Sequence, residues 1–146
     1  MLRPNTSGIL ACDGKNWTTA DADAALNALS DEGNANVKQL WLYQNQLDAV
    51  PESVSLLTNL EVLTLFGNQI ERLPEWIGNL TSLTWLVVGS NNLQKLTRSI
   101  GNLVNLEVLG LQDNYLASLP SSMLKLTKLH RYDLHLGSLL LSLVLP

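Results

Sequence analysis

The sequence is poor in cysteine, with Cys12 as its only one in 146 residues. An internal disulfide is therefore excluded, and folding needs no oxidising compartment. The opening stretch MLRPNTSGILAC also lacks the apolar run that is typical of a secretory signal. We therefore expect a cytoplasmic protein.

Positive charge is scarce as well, since nine Lys and Arg residues stand against 13 Asp and Glu residues, for a net charge of -4. Nucleic-acid binding needs a basic stripe that neutralises phosphates, so we expect no nucleic-acid partner. The charges are unevenly spread. Residues 1–75 carry four basic and ten acidic side chains, and residues 76–146 carry five basic and three acidic ones. An acidic end and a mildly basic end are expected, an arrangement that can orient a partner.

Long apolar runs are missing, because no stretch reaches the length of about 18 residues that a membrane-spanning helix needs. The longest candidate, SLLLSLVLP, ends the sequence and is only half that long. We predict an apolar C-terminal tail over residues 137–146, which either packs on the preceding residues or mediates self-association. A third interpretation is that these leucines continue into a longer protein.

Groups for catalysis or metal binding are few. The two histidines, His130 and His135, flank Asp133, and no serine or cysteine nucleophile is placed to join them. The stretch DGKNWT from Asp13 lacks the later oxygen ligands of a calcium loop. Scattered glycines form no phosphate-binding loop. We therefore expect no catalytic residue, no metal and no cofactor, and we predict that the protein is not an enzyme.

Leucine, in contrast, recurs at a constant step of 23 residues. Leu-x-Leu alternation is a period-two pattern, which places both leucines on one face of a short strand. Strands are predicted to start near Val37, Leu60, Leu83, Leu106 and Leu129. Each unit buries its leucines only by stacking on its neighbours, so the units are expected to form one continuous core.

Asparagine and glycine follow the same step. The asparagines are expected to satisfy backbone groups where each strand turns, and they are Asn45, Asn68, Asn91 and Asn114. Gly78 and Gly101 are expected to supply conformational freedom at the next bend. Thr97 stands where three other units have proline, and Gly137 where a fifth asparagine would be.

The consensus LxxLxLxxNxLxxLPxxIGxLxx closely resembles the 23-residue class of leucine-rich repeat. This class occurs in Ras-pathway scaffold and suppressor proteins, in plant intracellular proteins, and in many bacterial and protist proteins. The resemblance covers residues 37 to about 136, and it implies an α/β solenoid with a short parallel sheet on its concave face. It also implies a protein partner bound on that face.

Three regions follow from these patterns. Residues 1–36 are predicted to form an N-terminal cap with a helix over about 19–30, which Gly33 and the surrounding asparagines end. Residues 37–136 are predicted to hold four full repeats and a partial fifth. Residues 137–146 are the apolar tail.

The residues between the strand leucines are expected to face the concave side. Four of the eight aromatic residues fall there, and Gly89 and Gly110 beside them are expected to leave room for a partner side chain. We predict that the partner-binding residues are Trp41, Tyr43, Val62, Phe66, Trp85, Val87, Gln112, Arg131, Asp133 and His135. The aromatic residues have a second interpretation, in which they pack on one another to stabilise the sheet.

These observations favour a non-catalytic protein-binding module that serves as an adaptor, scaffold or effector and takes a protein or peptide partner. Three alternatives stay open. The chain is the recognition part of a larger enzyme (a kinase, GTPase or ubiquitin ligase), a carbohydrate receptor that uses its tryptophans, or a structural spacer.

Overall fold

The computed structural model describes residues 2–29 and 31–133. Within these residues, six short strands form one parallel sheet in sequence order. The strands are β1 (Ile9–Ala11), β2 (Gln39–Trp41), β3 (Val62–Thr64), β4 (Trp85–Val87), β5 (Val108–Gly110) and β6 (Arg131–Asp133). The five strands predicted from the repeat are confirmed, each beginning two residues after its predicted start.

The strands stack because their central residues share one buried row. Leu40, Leu63, Leu86 and Leu109 are aligned across the sheet and fully buried. The second leucine of each Leu-x-Leu pair is buried as well, at Leu42, Leu65 and Leu111, and Val88 takes this position in the unit of β4. The predicted inward placement of these side chains is therefore confirmed, and the core is one continuous cluster.

The return path of each unit contains a short 3-10 helix. These helices span Glu52–Leu56, Glu75–Asn79, Arg98–Asn102 and Ser121–Lys125. A proline precedes three of them, and Thr97 takes its place before the third, where its hydroxyl accepts a hydrogen bond from the Ser99 amide. Strands lie about 4.8 Å apart in a sheet and the return segments are bulkier, so the sheet forms the concave side of the solenoid.

The asparagine residues satisfy backbone groups at the turns, as predicted, and they also join neighbouring units. Nδ2 of Asn68 donates to the carbonyl oxygens of Leu65, in its own unit, and of Leu42, in the preceding one, at 2.9 and 3.0 Å. Its Oδ1 accepts from the Leu47 amide at 3.1 Å. Asn91 and Asn114 repeat this pattern one and two units later. Each amide thus satisfies backbone groups that the turn buries.

The N-terminal helix α1 spans Thr19–Asn27 and is shorter than predicted. It begins in a capping box between Thr18 and Asp21, and it buries Ala22 and Leu26 in the common core. Its Asp23 Oδ1 accepts hydrogen bonds from the amide and hydroxyl of Ser53 at 2.8 and 2.7 Å. The helix thus continues the outer side of the solenoid; the boundary at residue 36 and the capping role stay predictions.

One prediction about this region is wrong. Gly33 and its asparagine neighbours do not end the helical region, because a second helix, α2, spans Asp31–Asn36. Helix propensity is a weak preference that tertiary context overrides. Here the chain has to return from α1 to the start of β2, and six helical residues occupy that path.

Strand β1 was not predicted. It pairs with β2 in the same register as the later strands, with Leu10 opposite Leu40. The step between these leucines is 30 residues instead of 23, and Cys12 and Lys15 stand where later units have leucine and asparagine. A search for the 23-residue period therefore misses this first unit, although ILAC keeps the alternating pattern.

The two glycines of the return path have a role other than the predicted one. Neither Gly78 nor Gly101 has a positive φ, so their conformational freedom is not what the bend uses. A Cβ on Gly78 would lie 2.6 Å from the Ser99 carbonyl oxygen and 2.8 Å from the Ser99 Cβ. The glycines are needed because adjacent 3-10 helices approach each other too closely for a side chain.

We expect Gly78→Ala to lower the free energy of unfolding by about 1–2 kcal/mol, since the added methyl group must push two packed segments apart. Urea denaturation followed by circular dichroism measures this loss. Gly110→Ala is the matched control, because its added Cβ would meet its nearest atoms at 3.2 Å and needs only a small adjustment. Equal stability of the Gly78 and Gly110 variants would contradict the close-approach role.

Two further predictions concern residues that the structure does not describe. The apolar tail, residues 137–146, lies outside the described part of the chain, and so does His135. Self-association through the tail stays a prediction. Over residues 2–29 and 31–133, the structure has no helix long and apolar enough to span a membrane.

Candidate partner-binding surface

The outward face of the sheet, which we call the concave face, is built from the residues that alternate with the buried leucines. The strand register aligns them in rows. The first row, from β2 to β6, is Gln39, Val62, Trp85, Val108 and Arg131. The second row is Trp41, Thr64, Val87, Gly110 and Asp133.

A third row lies just beyond the strand ends. Backbone hydrogen bonds continue the register there, from the amides of Gln44, Gly67 and Ser90 to the carbonyl oxygens of Phe66, Gly89 and Gln112 at 2.8, 3.1 and 2.8 Å. The third row is therefore Tyr43, Phe66, Gly89 and Gln112. Its predicted fifth member, His135, is not among the described residues.

The four aromatic residues that sequence analysis placed on this face do share it, and we call them the aromatic patch: Trp41, Tyr43, Phe66 and Trp85. Tyr43 and Phe66 are neighbours in the third row. Trp85 is 40% exposed and the other three are half-buried. Val62 and Val87 are half-buried between them. The patch therefore places aromatic side chains on three adjacent strands, and Trp85 is the most exposed of them.

Asp13 belongs to this surface and was missed. It follows β1, and the sequence pattern did not predict that strand. The Tyr43 hydroxyl donates a hydrogen bond to the Asp13 carboxylate, and this bond together with the negative charge raises the pKa of Tyr43. Asp13 thus places a negative charge next to Tyr43, at the β1 edge of the concave face.

The prediction that Gly89 leaves space for a partner is wrong. The Gln112 side chain already occupies that position, since a Cβ on Gly89 would lie 2.5 Å from Gln112 Cδ. Glycine is needed there because the amide of Gln112 folds over the backbone. Gln112 Oε1 is buried in this position without a hydrogen-bond partner among the described residues. Thr64 Oγ1, in the middle of the same face, is also buried without a hydrogen-bond partner among the described residues.

Gly110 lines a depression, although a Cβ on this residue would meet Val87 and Gln112 at 3.2 Å, so its predicted role in admitting a partner side chain stays a prediction. A depression of about 90 Å³ lies between β4 and β6 on the concave face. It is lined by Trp85, Val87, Val108, Leu109, Gly110, Gln112 and Arg131. Arg131 is the exposed residue at its β6 side.

The single cysteine supplies no reactive nucleophile at neutral pH. Cys12 is fully buried in the core, and this burial is the main cause that raises the pKa of its thiol to about 11. A thiol with so high a pKa is almost entirely protonated at neutral pH, whereas the thiolate is the nucleophilic form.

Comparison with known proteins agrees with this architecture. Residues 59–80 match the Leucine Rich Repeat family. A leucine-rich repeat protein of Leptospira interrogans is 31% identical over 71% of this chain, with a TM-score of 0.58. The leucine-rich repeat ectodomain of the receptor kinase SOBIR1 from Arabidopsis thaliana is 27% identical over 85% of this chain, with a TM-score of 0.64. The chain is a leucine-rich repeat protein.

Leucine-rich repeat domains commonly bind proteins and are typically not catalytic. No curated protein matches this leucine-rich repeat chain. The chain spans 28% of the Leptospira protein and 67% of the SOBIR1 ectodomain.

The predicted binding residues of this leucine-rich repeat protein separate into two groups. The aromatic patch, Val62 and Val87 lie together over β2 to β4. Gln112 and Arg131 lie at the depression over β4 to β6, and Asp133 stands in the row that continues from Gly110.

Proposed function

We propose that this leucine-rich repeat protein is a non-catalytic binding module, an adaptor or scaffold that holds a protein or peptide partner on its concave face. The aromatic patch is the anchor of that interface, and the depression beside it receives a side chain of the partner. A reducing, cytoplasmic setting is part of the same proposal, since Cys12 is a buried thiol.

The observation that carries this proposal is the gathering of Trp41, Tyr43, Phe66 and Trp85 on one outward face of the sheet. None of the four belongs to the core cluster of the solenoid, which leucine, isoleucine and valine fill in the neighbouring units. Tryptophan and tyrosine are the residues that most often contribute large binding energies at protein interfaces. An apolar surface that the core does not need is typical of a binding site.

The polar atoms of the same face support a partner with hydrogen-bonding groups. Thr64 Oγ1 and Gln112 Oε1 are buried and unpaired within the described chain. An unpaired buried polar atom costs about 1–3 kcal/mol, which a partner's donor can recover. Peptide backbone supplies such donors at regular intervals, whereas a purely apolar ligand supplies none.

We expect Trp41→Ala and Trp85→Ala each to weaken partner binding by more than about 1 kcal/mol, close to fivefold, with little loss of folding stability. The partner is first captured by affinity purification with mass spectrometry, and titration of that purified partner then measures each dissociation constant. Tyr115→Ala is the control, because Tyr115 is an aromatic residue that is 72% exposed and lies outside the three rows.

Two results would contradict this proposal. If both tryptophan variants unfold while the affinity of the folded fraction is unchanged, the aromatic patch stabilises the sheet and the interface lies elsewhere. If the tryptophan variants abolish binding of immobilised glycans in an array, and no protein is captured, the carbohydrate-receptor alternative is supported instead.

A further inference from the structure

Gly110 is the smallest of the residues that line the depression between β4 and β6. It stands between Val87 and Asp133 in the second row, in which the other four positions carry a side chain. A Cβ built on Gly110 would lie 3.2 Å from a Val87 methyl carbon and from Gln112 Oε1. The volume of about 90 Å³ is several times the space that one water molecule needs, so a side chain can enter.

Arg131 is the charged residue among those that line this depression. From β2 to β5 the three rows contain no charged side chain, and Arg131 is the basic residue that lines the opening. It is exposed, and it forms no ion pair with a side chain that the structure describes. Residues 76–146 carry a small excess of basic residues. Arg131 favours a carboxylate as the ligand group, because a guanidinium group binds a carboxylate through paired, charge-assisted hydrogen bonds.

The other residues that line the depression indicate which carboxylate side chain fits it. Trp85, Val87 and Val108 present apolar surface, which suits the methylene groups of a side chain such as glutamate. Gln112 Oε1 lies at the floor without a partner. A peptide N–H of the partner that draws this amide outward gives Oε1 the donor that it lacks.

At the opposite end of the concave face, the β1 edge carries the carboxylate of Asp13, next to Tyr43. The segment that contains it, residues 1–75, has ten acidic and four basic side chains in total. Five strand spacings of about 4.8 Å separate β1 from β6, roughly 24 Å in total. An extended peptide advances about 3.3 Å per residue, so about seven or eight residues cross the sheet.

We propose that the partner segment is an extended peptide of about seven or eight residues with opposite charges at its two ends. It places an acidic side chain in the depression beside Arg131 and a basic side chain at the Asp13 edge. This inference rests on the binding function proposed above and adds to it the chemistry and the direction of the partner.

The test uses a phage-displayed library of random eight-residue peptides, selected on the full chain. We expect the enriched peptides to share one acidic position, with lysine or arginine near the other end. A selected peptide is then made with a fluorescent label, once with glutamate and once with lysine at the acidic position. Fluorescence anisotropy measures the dissociation constants of both for each variant.

Two substitutions examine the depression. Arg131→Glu is expected to weaken binding of the glutamate peptide about fivefold and to favour the lysine peptide. Gly110→Val is expected to weaken binding about tenfold by filling the depression. Gly110→Ala is the smaller substitution for the case in which valine disturbs the fold, which thermal unfolding reveals.

Arg98→Glu is the matched control, since it makes the same charge change at an exposed position on the return side of the solenoid. If Arg131→Glu changes binding no more than Arg98→Glu, or if the enriched peptides share no acidic position, this inference is overturned. The proposed function survives that result when the peptides still require Trp41 and Trp85. If no peptide is enriched, the peptide inference also fails, and the tryptophan variants with the captured partner test the function independently.

Discussion

Replacing Leu86 by alanine is expected to lower the free energy of unfolding by about 2–5 kcal/mol, the largest loss among the substitutions considered. Leu86 is the middle residue of β4, with 0% of its surface exposed. It stands in register between Leu63 and Leu109, so the cavity left by its truncation opens in two unit interfaces at once. In a repeat protein, stability is approximately a sum over units and the interfaces between them, and this residue belongs to two such interfaces.

Chemical denaturation followed by circular dichroism measures the loss. Leu124→Ala is the matched control, because Leu124 lies on the last 3-10 helix with 64% of its surface exposed. Its truncation is expected to change the free energy of unfolding by less than about 0.5 kcal/mol. A loss of that small size at both Leu65 and Leu86 would show that the strand leucines are not the core.

Replacing Asn91 by alanine is expected to destabilise the protein by about 1–3 kcal/mol, toward the upper end of that range. Its Nδ2 donates to the carbonyl oxygens of Leu65, Val88 and Gly89 at 3.0, 3.0 and 3.1 Å. Its Oδ1 accepts from the Ile70 amide at 2.9 Å. Alanine leaves these backbone groups without their partner in a region where Asn91 itself is only 4% exposed.

Asn92→Ala separates this effect from the general cost of removing an asparagine. Asn92 is the next residue, it is exposed, and its side-chain amide makes one long contact of 3.4 Å with the Gln69 carbonyl oxygen. We expect its substitution to be nearly silent in the same denaturation experiment. Equal tolerance of alanine and leucine at position 91 would show that the hydrogen bonds of the repeated asparagines contribute little to the free energy of unfolding.

Strand positions and concave rows could be predicted because both depend on local periodicity. Leu63 and Leu86 are buried and Trp85 faces outward for the same reason, namely that side chains alternate along a strand. A repeated period then fixes which residues become neighbours on adjacent strands. The alignment of Val62 with Trp85 and of Thr64 with Val87 is the alignment that the 23-residue step requires.

Features that depend on contact between distant units could not be predicted in this way. Strand β1 was not predicted because its spacing to β2 is 30 residues instead of 23. The position of Asp13, which follows β1, was not predicted for the same reason. The close approach at Gly78 depends on how tightly two 3-10 helices pack, a distance that no single unit encodes. Gln112 covers Gly89 because its long side chain crosses to the neighbouring strand, which the alternation of residues does not indicate.

The amino-acid pattern alone is therefore sufficient for the solenoid, its parallel sheet and the rows of its outward face, since these follow from burying a periodic set of leucines. Packing between units decided which outward positions are open. The Gln112 side chain occupies the position above Gly89, whereas Gly110 lines a depression beside Arg131 in which a Cβ on the glycine would just meet Val87 and Gln112, at 3.2 Å. Such differences arise from side-chain length and direction across strands, which become definite only when the units are stacked.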